Sequence, residues 1–308
     1  MIETQHLTKH YGKLPALTDL TLNIGKGKVF GFIGPNGAGK STTMLILSTL
    51  LEPTSGQAMV AGYDVMKEPK EVRQALGYMP DFFGVYDNLK ATEYLEFYAA
   101  AYHIPPEKRK SLIADLLELV NLSGKADAYV DSLSRGMKQR LGLARCLVHS
   151  PEVLILDEPA SGLDPRARIE MREILRELRN MGKTILISSH ILPELSELCD
   201  EIGVIEKGRL IACGAVEDVS VATRGISVMQ VKVLEKHEEA LALLASSPYV
   251  RRLDDKASHF RFQFTGTEAD KAVLLQTLMA AGIPVVHFGE SKENLEDVFL
   301  AITEGGGN

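Results

Sequence analysis

No stretch of the 308 residues approaches the roughly 18–20 uninterrupted apolar residues that a membrane-spanning helix needs. The opening Met1 to His10 lacks the apolar core of a signal peptide. The expectation is a cytosolic chain that cannot by itself form a path through a bilayer. Cysteine is scarce: Cys146, Cys199 and Cys213 have no metal-type spacing and read as reduced structural thiols. A basic excess is missing too. With 34 Lys and Arg against 41 Asp and Glu, the net charge is -7, which argues against a dominant nucleic-acid surface. Internal repeats and heptad runs are absent. The remaining composition, 45% hydrophobic and 24% charged, suits a folded chain of one or two domains.

Apolar runs alternate with helical patterns. Leu20 to Ile24 and Val29 to Ile33 read as strands, as do the compact runs Val153 to Leu156 and Thr184 to Ser188. Arg166 to Met181 carries helical spacing through Ile169, Ile174, Leu175 and Leu178. The alternation predicts an α/β core with a largely parallel sheet. Residues 86–150 read as a helical insertion. From residue 220 onward the order is strand (226–234), helix (238–245), strands (250–253 and 259–264) around Asp254-Asp255, helix (271–281) and strand (285–288). That βαββαβ order predicts a small ferredoxin-like α+β domain. A last helix, Leu295 to Ile302, precedes a glycine tail.

Gly34-Pro35-Asn36-Gly37-Ala38-Gly39-Lys40-Ser41 fits G-x-x-x-x-G-K-[ST] between a predicted strand and helix. Glycines let the backbone turn several N–H groups toward one anion, and the following helix adds its positive end. Lys40 then reaches the β- and γ-phosphates, and Ser41, followed by Thr42, can ligate Mg²⁺. This motif specifies a nucleoside triphosphate, not an enzyme. Val153 to Leu156 runs into Asp157 and Glu158. Beside a phosphate loop, Asp157 can hold Mg²⁺ and Glu158 can polarise the attacking water.

Further motifs resemble the ABC (ATP-binding cassette) ATPases over roughly residues 2–218. Leu133-Ser134-Arg135-Gly136-Met137 is similar to the family signature, usually written LSGGQ. Ser161-Gly162-Leu163-Asp164 resembles the D-loop, and Ser188-Ser189-His190 the switch histidine. Tyr11 resembles the aromatic that stacks on adenine. The resemblance implies a P-loop NTPase core with an antiparallel β subdomain in residues 1–219, and an accessory domain in 220–308. It also implies ATP and Mg²⁺ as ligands and a head-to-tail homodimer enclosing two ATP molecules. Ser134 and Gly136 would contact the γ-phosphate across the interface, His190 would sense it, and Asp164 would link the two sites. A separate transmembrane permease is the implied partner, with the ATPase peripheral on the inner face of the membrane. No nucleic-acid partner is expected. The alternative, a non-transport ABC protein acting on ribosomes or DNA, would usually bring a second cassette or a long coiled coil. A GTPase or small-molecule kinase is disfavoured by the signature, by Tyr11 and by the lack of N-K-x-D.

Asp81 in the Q-loop, and Arg135 with Met137 in the signature, depart from the family pattern. Asp81 stands where the Q-loop glutamine is expected, keeping an oxygen ligand but adding charge and losing the amide donor. Arg135 takes a place in the usual glycine pair, and a guanidinium near a triphosphate is electrostatically favourable. The resemblance to exporter-type cassettes with LSRGM signatures implies retained activity. Phe82 and Phe83, clustered with Tyr86, lie in a predicted loop where the resemblance implies contact with the permease, whereas Tyr94, Phe97 and Tyr98 read as helical-subdomain core. Asn294 to Leu300 resembles the tail of exporter-type cassettes with a C-terminal extension.

Overall fold

A computed structural model describes residues 1–81, 88–189, 195, 198–216, 227–256 and 259–290. His190, Phe82, Phe83, Tyr86 and the tail from Asn294 lie outside the described residues. The chain divides into two compact units, Met1–Ala215 and Val216–Asn308.

The first unit contains two sheets. One is antiparallel, in the order β2 (Leu14–Ile24), β1 (Ile2–Tyr11), β4 (Ser55–Val60), β5 (Tyr63–Asp64). The other runs β10 (Arg209–Ala215), β9 (Glu201–Glu206), β3 (Val29–Ile33), β8 (Thr184–Ser189), β7 (Val153–Leu156), β6 (Leu76–Met79). All its pairings are parallel except β9 with the edge strand β10. Every residue of β3, β7 and β8 is buried, which explains why these strands are continuous apolar runs rather than alternating ones. The core between the sheets is built on Leu7, Leu20, Phe30, Phe32 and Leu47.

Three helices emphasise the predicted insertion: α3 (Ala91–Ala101), α4 (Pro106–Leu119) and α5 (Arg135–Leu147). Among the described residues this unit also holds α1 (Lys40–Leu47), α2 (Pro69–Ala75) and α6 (Pro165–Asn180). Tyr94 is fully buried, as expected for core, and meets Tyr98 edge-on at 5.1 Å. Phe97 departs from expectation: it is 48% exposed, because the buried face of α3 follows Tyr94 and Leu95.

The second unit has the order β11 (Ser227–Val233), α7 (His237–Ser246), β12 (Val250–Lys256), β13 (His259–Phe264), α8 (Glu268–Ala280), β14 (Val285–Glu290). Its sheet is β12-β13-β11-β14 with every pair antiparallel, the ferredoxin-like arrangement that the βαββαβ pattern predicts. The strand predicted over 250–253 runs on to Lys256, so Asp254 and Asp255 belong to it. They sit inside β12 opposite Arg261 and Phe260, where an Asp–Arg cross-strand pair is favourable.

Candidate active site

Four neighbouring parallel strands, β3, β8, β7 and β6, end at one edge of the sheet. Gly34 follows β3, Asp157 follows β7, Asp81 comes two residues after β6, and Ser189 closes β8. Ligands of open α/β sheets bind outside the carboxyl ends of such strands.

The loop after β3 curls because its glycines adopt conformations other residues resist. Gly37 and Gly39 have φ of 79° and 113°. Gly34 is required for a different reason: a Cβ there would run into the Ile205 carbonyl. Gly39 is the N-cap of α1 and supplies no side-chain cap, so the first-turn N–H groups are left for a ligand. The loop borders a cavity of about 170 Å³ lined by Pro35, Asn36, Gly37, Gly39, Lys40, Ser41, Thr42, Asp81, Asp157 and Glu158. Gly34 and Ala38 shape the loop without lining the cavity.

Lys40 is the buried cation of this cavity. Its Nζ donates to Gly34 O at 2.6 Å and Pro35 O at 3.3 Å, and lies 3.7 Å from Glu158 Oε1. Burial pulls its pKa below the usual lysine value, against the opposing pull of Glu158 and Asp157. Asp157 is 4% exposed, and its N–H donates to Met79 O at 2.8 Å, tying the acidic pair to the end of β6. Sequence reasoning passed over Ser188, which is fully buried on β8. Its hydroxyl donates to Asp157 Oδ1 at 2.6 Å and accepts the Glu158 N–H at 2.9 Å. A serine two residues before a candidate histidine in an apolar strand carried no separate signal.

The other predicted site residues gather elsewhere. Ser134 is the N-cap of α5, its hydroxyl accepting from Met137 N at 3.3 Å. Asp164 caps α6 in the same way, accepting from Ala167 N at 2.9 Å. The two helix starts touch. A Cβ on Gly136 would lie 2.9 Å from Ala167 Cβ, and one on Gly162 would lie 2.5 Å from Arg135 Cζ. Arg135 therefore lies over the D-loop glycine rather than pointing freely outward. None of Ser134, Gly136 or Asp164 lines the phosphate-side cavity. Tyr11 is 48% exposed at the tip of the β1–β2 hairpin, with Lys9 Nζ 5.5 Å from its ring centre. Leu17, close to that tip on β2, packs on the loop: a Cβ on Gly39 would lie 2.7 Å from Leu17 Cδ2. A larger cavity of about 520 Å³ lies beyond Glu158, with an apolar wall of Met171, Leu175, Ile187 and Leu195 and a polar side that includes Arg168 and Arg172.

Comparison with known proteins matches residues 17–161 to the family described as ABC transporter. Residues 220–303 match the family described as ATP-binding protein DrrA1-3-like, C-terminal domain. The linearmycin resistance ATP-binding protein LnrL of Bacillus subtilis (strain 168) is 33% identical over 305 residues, 98% of each chain. The bacitracin transport ATP-binding protein BcrA of Bacillus licheniformis is 35% identical over 307 residues, covering 99% of this chain and 98% of that one. A solved ATP-binding subunit of an ABC transporter superposes with a TM-score of 0.65 at 31% identity, covering 72% of this chain and 92% of the other. A cassette solved as a post-hydrolysis dimer bound to ADP and Pi gives 0.64 at 25% identity, covering 70% of this chain and 99% of that one. With the phosphate loop, acidic pair and signature in place on this fold, the chain belongs to the ATP-binding subunits of ABC transporters and is an ATPase.

Proposed function

We propose that this chain is the ATP-hydrolysing subunit of an exporter, closing as a homodimer on ATP and opening on hydrolysis to drive a separate transmembrane permease. The observation that carries the reading is the separation of the site residues into two groups. Lys40, Ser41, Asp157 and Glu158 surround the phosphate-side cavity, while Ser134, Gly136 and Asp164 lie outside its lining. One chain thus holds two half-sites, and a head-to-tail pair of chains makes each one whole.

In this reading the loop N–H groups and Lys40 bind the phosphates, Tyr11 stacks on adenine, and Ser134 with Gly136 closes over the partner's γ-phosphate. Glu158 orients the attacking water and takes its proton, His190 contacts the γ-phosphate, and Asp164 couples the two sites. Ser41, Asp157 and Asp81 offer only oxygen donors, which suits Mg²⁺. Among the described residues no three His, Cys, Asp or Glu side chains cluster to hold a metal alone. That donor set fits a cation arriving with the phosphates, as Mg²⁺ commonly does. When bound, Mg²⁺ supplies neutralisation of charge on the transferring phosphoryl group.

Export follows the relatives, whose names include linearmycin resistance, bacitracin transport and Nod factor export. No described helix is long and apolar enough to cross a membrane, so the permease is a separate chain in this reading, and the ATPase sits on the cytoplasmic face of the membrane. Residues 1–219 form the ATPase domain and 220–308 an accessory one. The test is complementation between two inactive variants. Lys40→Met removes the phosphate-side half-site, and Ser134→Arg the signature half. Mixing them assembles heterodimers with one intact composite site, so hydrolysis returns. No return, with both variants folded and Ser134→Arg still binding ATP, contradicts the two-chain site.

A further inference from the structure

We propose that Ser188 is a positioning residue of the hydrolytic centre, holding Glu158 in its working conformation through the Glu158 backbone. The inference rests on the assignment of Glu158 as the group that orients water. Glu158 has φ of 51°, in the left-handed region that a side chain bearing Cβ disfavours. Such a conformation persists where the surroundings over-determine it. Here they do so from both sides. The Glu158 N–H is held by Ser188 Oγ at 2.9 Å, and the Glu158 carbonyl accepts Ser161 N at 3.0 Å. The preceding Asp157 N–H is fixed to Met79 O.

The hydroxyl of Ser188 uses both of its capacities. It has one hydrogen, given to Asp157 Oδ1 at 2.6 Å, and its lone pair receives the Glu158 N–H. One hydroxyl therefore sets the orientation of the Asp157 carboxylate and the backbone turn that swings the Glu158 side chain toward Lys40 Nζ, 3.7 Å away. Ser188 is fully buried, so removing the hydroxyl takes a hydrogen-bond partner from the Glu158 N–H inside the fold, where an unmade bond is costly. A bond to a backbone N–H holds the turn without touching the nucleotide. Its loss should disturb the chemical step more than ATP binding, which belongs to the loop on β3.

The experiment measures ATP hydrolysis and ATP binding by the full chain in four forms: native, Ser188→Ala, Ser188→Thr and Glu158→Gln, with the Ser188→Ala/Glu158→Gln double variant as a fifth. Ser188→Ala should lower kcat about tenfold or more while KM for ATP stays within about twofold. Ser188→Thr, which retains the hydroxyl, should restore most of kcat. In the Glu158→Gln background, Ser188→Ala should cost much less than in the native chain, because the Glu158 carboxylate it positions is already disabled and only the bond to Asp157 remains to be lost. An unchanged kcat in Ser188→Ala overturns the proposal. So does a Ser188→Thr variant that binds ATP yet stays as slow as Ser188→Ala, or a full additional loss in the double variant. If Glu158→Gln alone hydrolyses at the native rate, the assignment of Glu158 fails, and the Ser188 proposal falls with it by a separately visible result.

Discussion

Gly136 packs closely between α5 and α6 and is proposed to contact phosphate through its backbone, and Gly136→Ala tells the two apart. A Cβ at this position would lie 2.9 Å from Ala167 Cβ, at the crossing of the first turns of α5 and α6. Carbon atoms attract best at about 3.5–4.0 Å, so the two helices must part by roughly 0.6 Å or more. Ala167 is 9% exposed and has little space to yield. Overpacking of this kind costs about 1–3 kcal/mol. Against it stands the better helix propensity of Ala over Gly, at most about 1 kcal/mol. The net loss is about 0–2 kcal/mol. In a unit running from Met1 to Ala215, each kcal/mol lowers Tm by roughly 2–4 °C. The decisive comparison is a double-mutant cycle with Ala167→Gly, followed by thermal unfolding. Removing the Ala167 Cβ should relieve the clash, giving a coupling of about 1–3 kcal/mol. ATPase activity in the double variant then tests the proposed contact of the Gly136 backbone with phosphate, free of the packing defect. Strict additivity of the two changes, with Gly136→Ala simply gaining stability, refutes the close-packing argument.

Two further outcomes follow from the site and its supports. Asp81 lines the cavity with Asp157 and Glu158, so Asp81→Ala should raise the Mg²⁺ concentration needed for half-maximal hydrolysis by roughly tenfold; an unchanged Mg²⁺ dependence and rate removes Asp81 from the metal and water shell. His149 donates from Nε2 to Leu76 O at 3.0 Å, stacks on Tyr102 and has its Nδ1 buried without a partner, and burial holds its pKa below the usual 6.5. As pH falls below 6.5 the unfolded chain gains a proton that the folded chain refuses, so stability is lost toward acid. Urea midpoints measured between pH 7 and 5 should fall less steeply in His149→Gln, and parallel curves would contradict the assignment.

The parts of the fold visible in the sequence are those where burial is one-sided or total. β3, β7 and β8 read as strands because both faces are covered, and their apolar runs end abruptly in glycine or carboxylate. The βαββαβ unit was legible because each segment kept its own period. β1 was not: its burial pattern is irregular and its pairing with β2 shifts register three times, which erases the alternation that marks a strand. The end of β12 was not legible because an acidic pair is disfavoured in strands in isolation, whereas here Arg261 on β13 faces Asp254. At the site, Lys40, Asp157 and Glu158 were legible from spacing. Ser188 was not, since a small hydroxyl in a buried strand looks like filler until its partners are seen. The contact of Arg135 with Gly162 joins two motifs 27 residues apart and exists only in the folded packing of α5 on α6.

The central claim is that Glu158 drives hydrolysis within a sandwich of two chains. Glu158→Gln keeps the size of the side chain and removes the base. The full chain carrying it should bind ATP and hydrolyse it about 10²–10⁴ times more slowly. With ATP and Mg²⁺ it should elute from a sizing column as a dimer, and it should revert to monomer when the nucleotide is removed. A Glu158→Gln chain that hydrolyses ATP at the native rate, or that stays monomeric while saturated with ATP, contradicts the account.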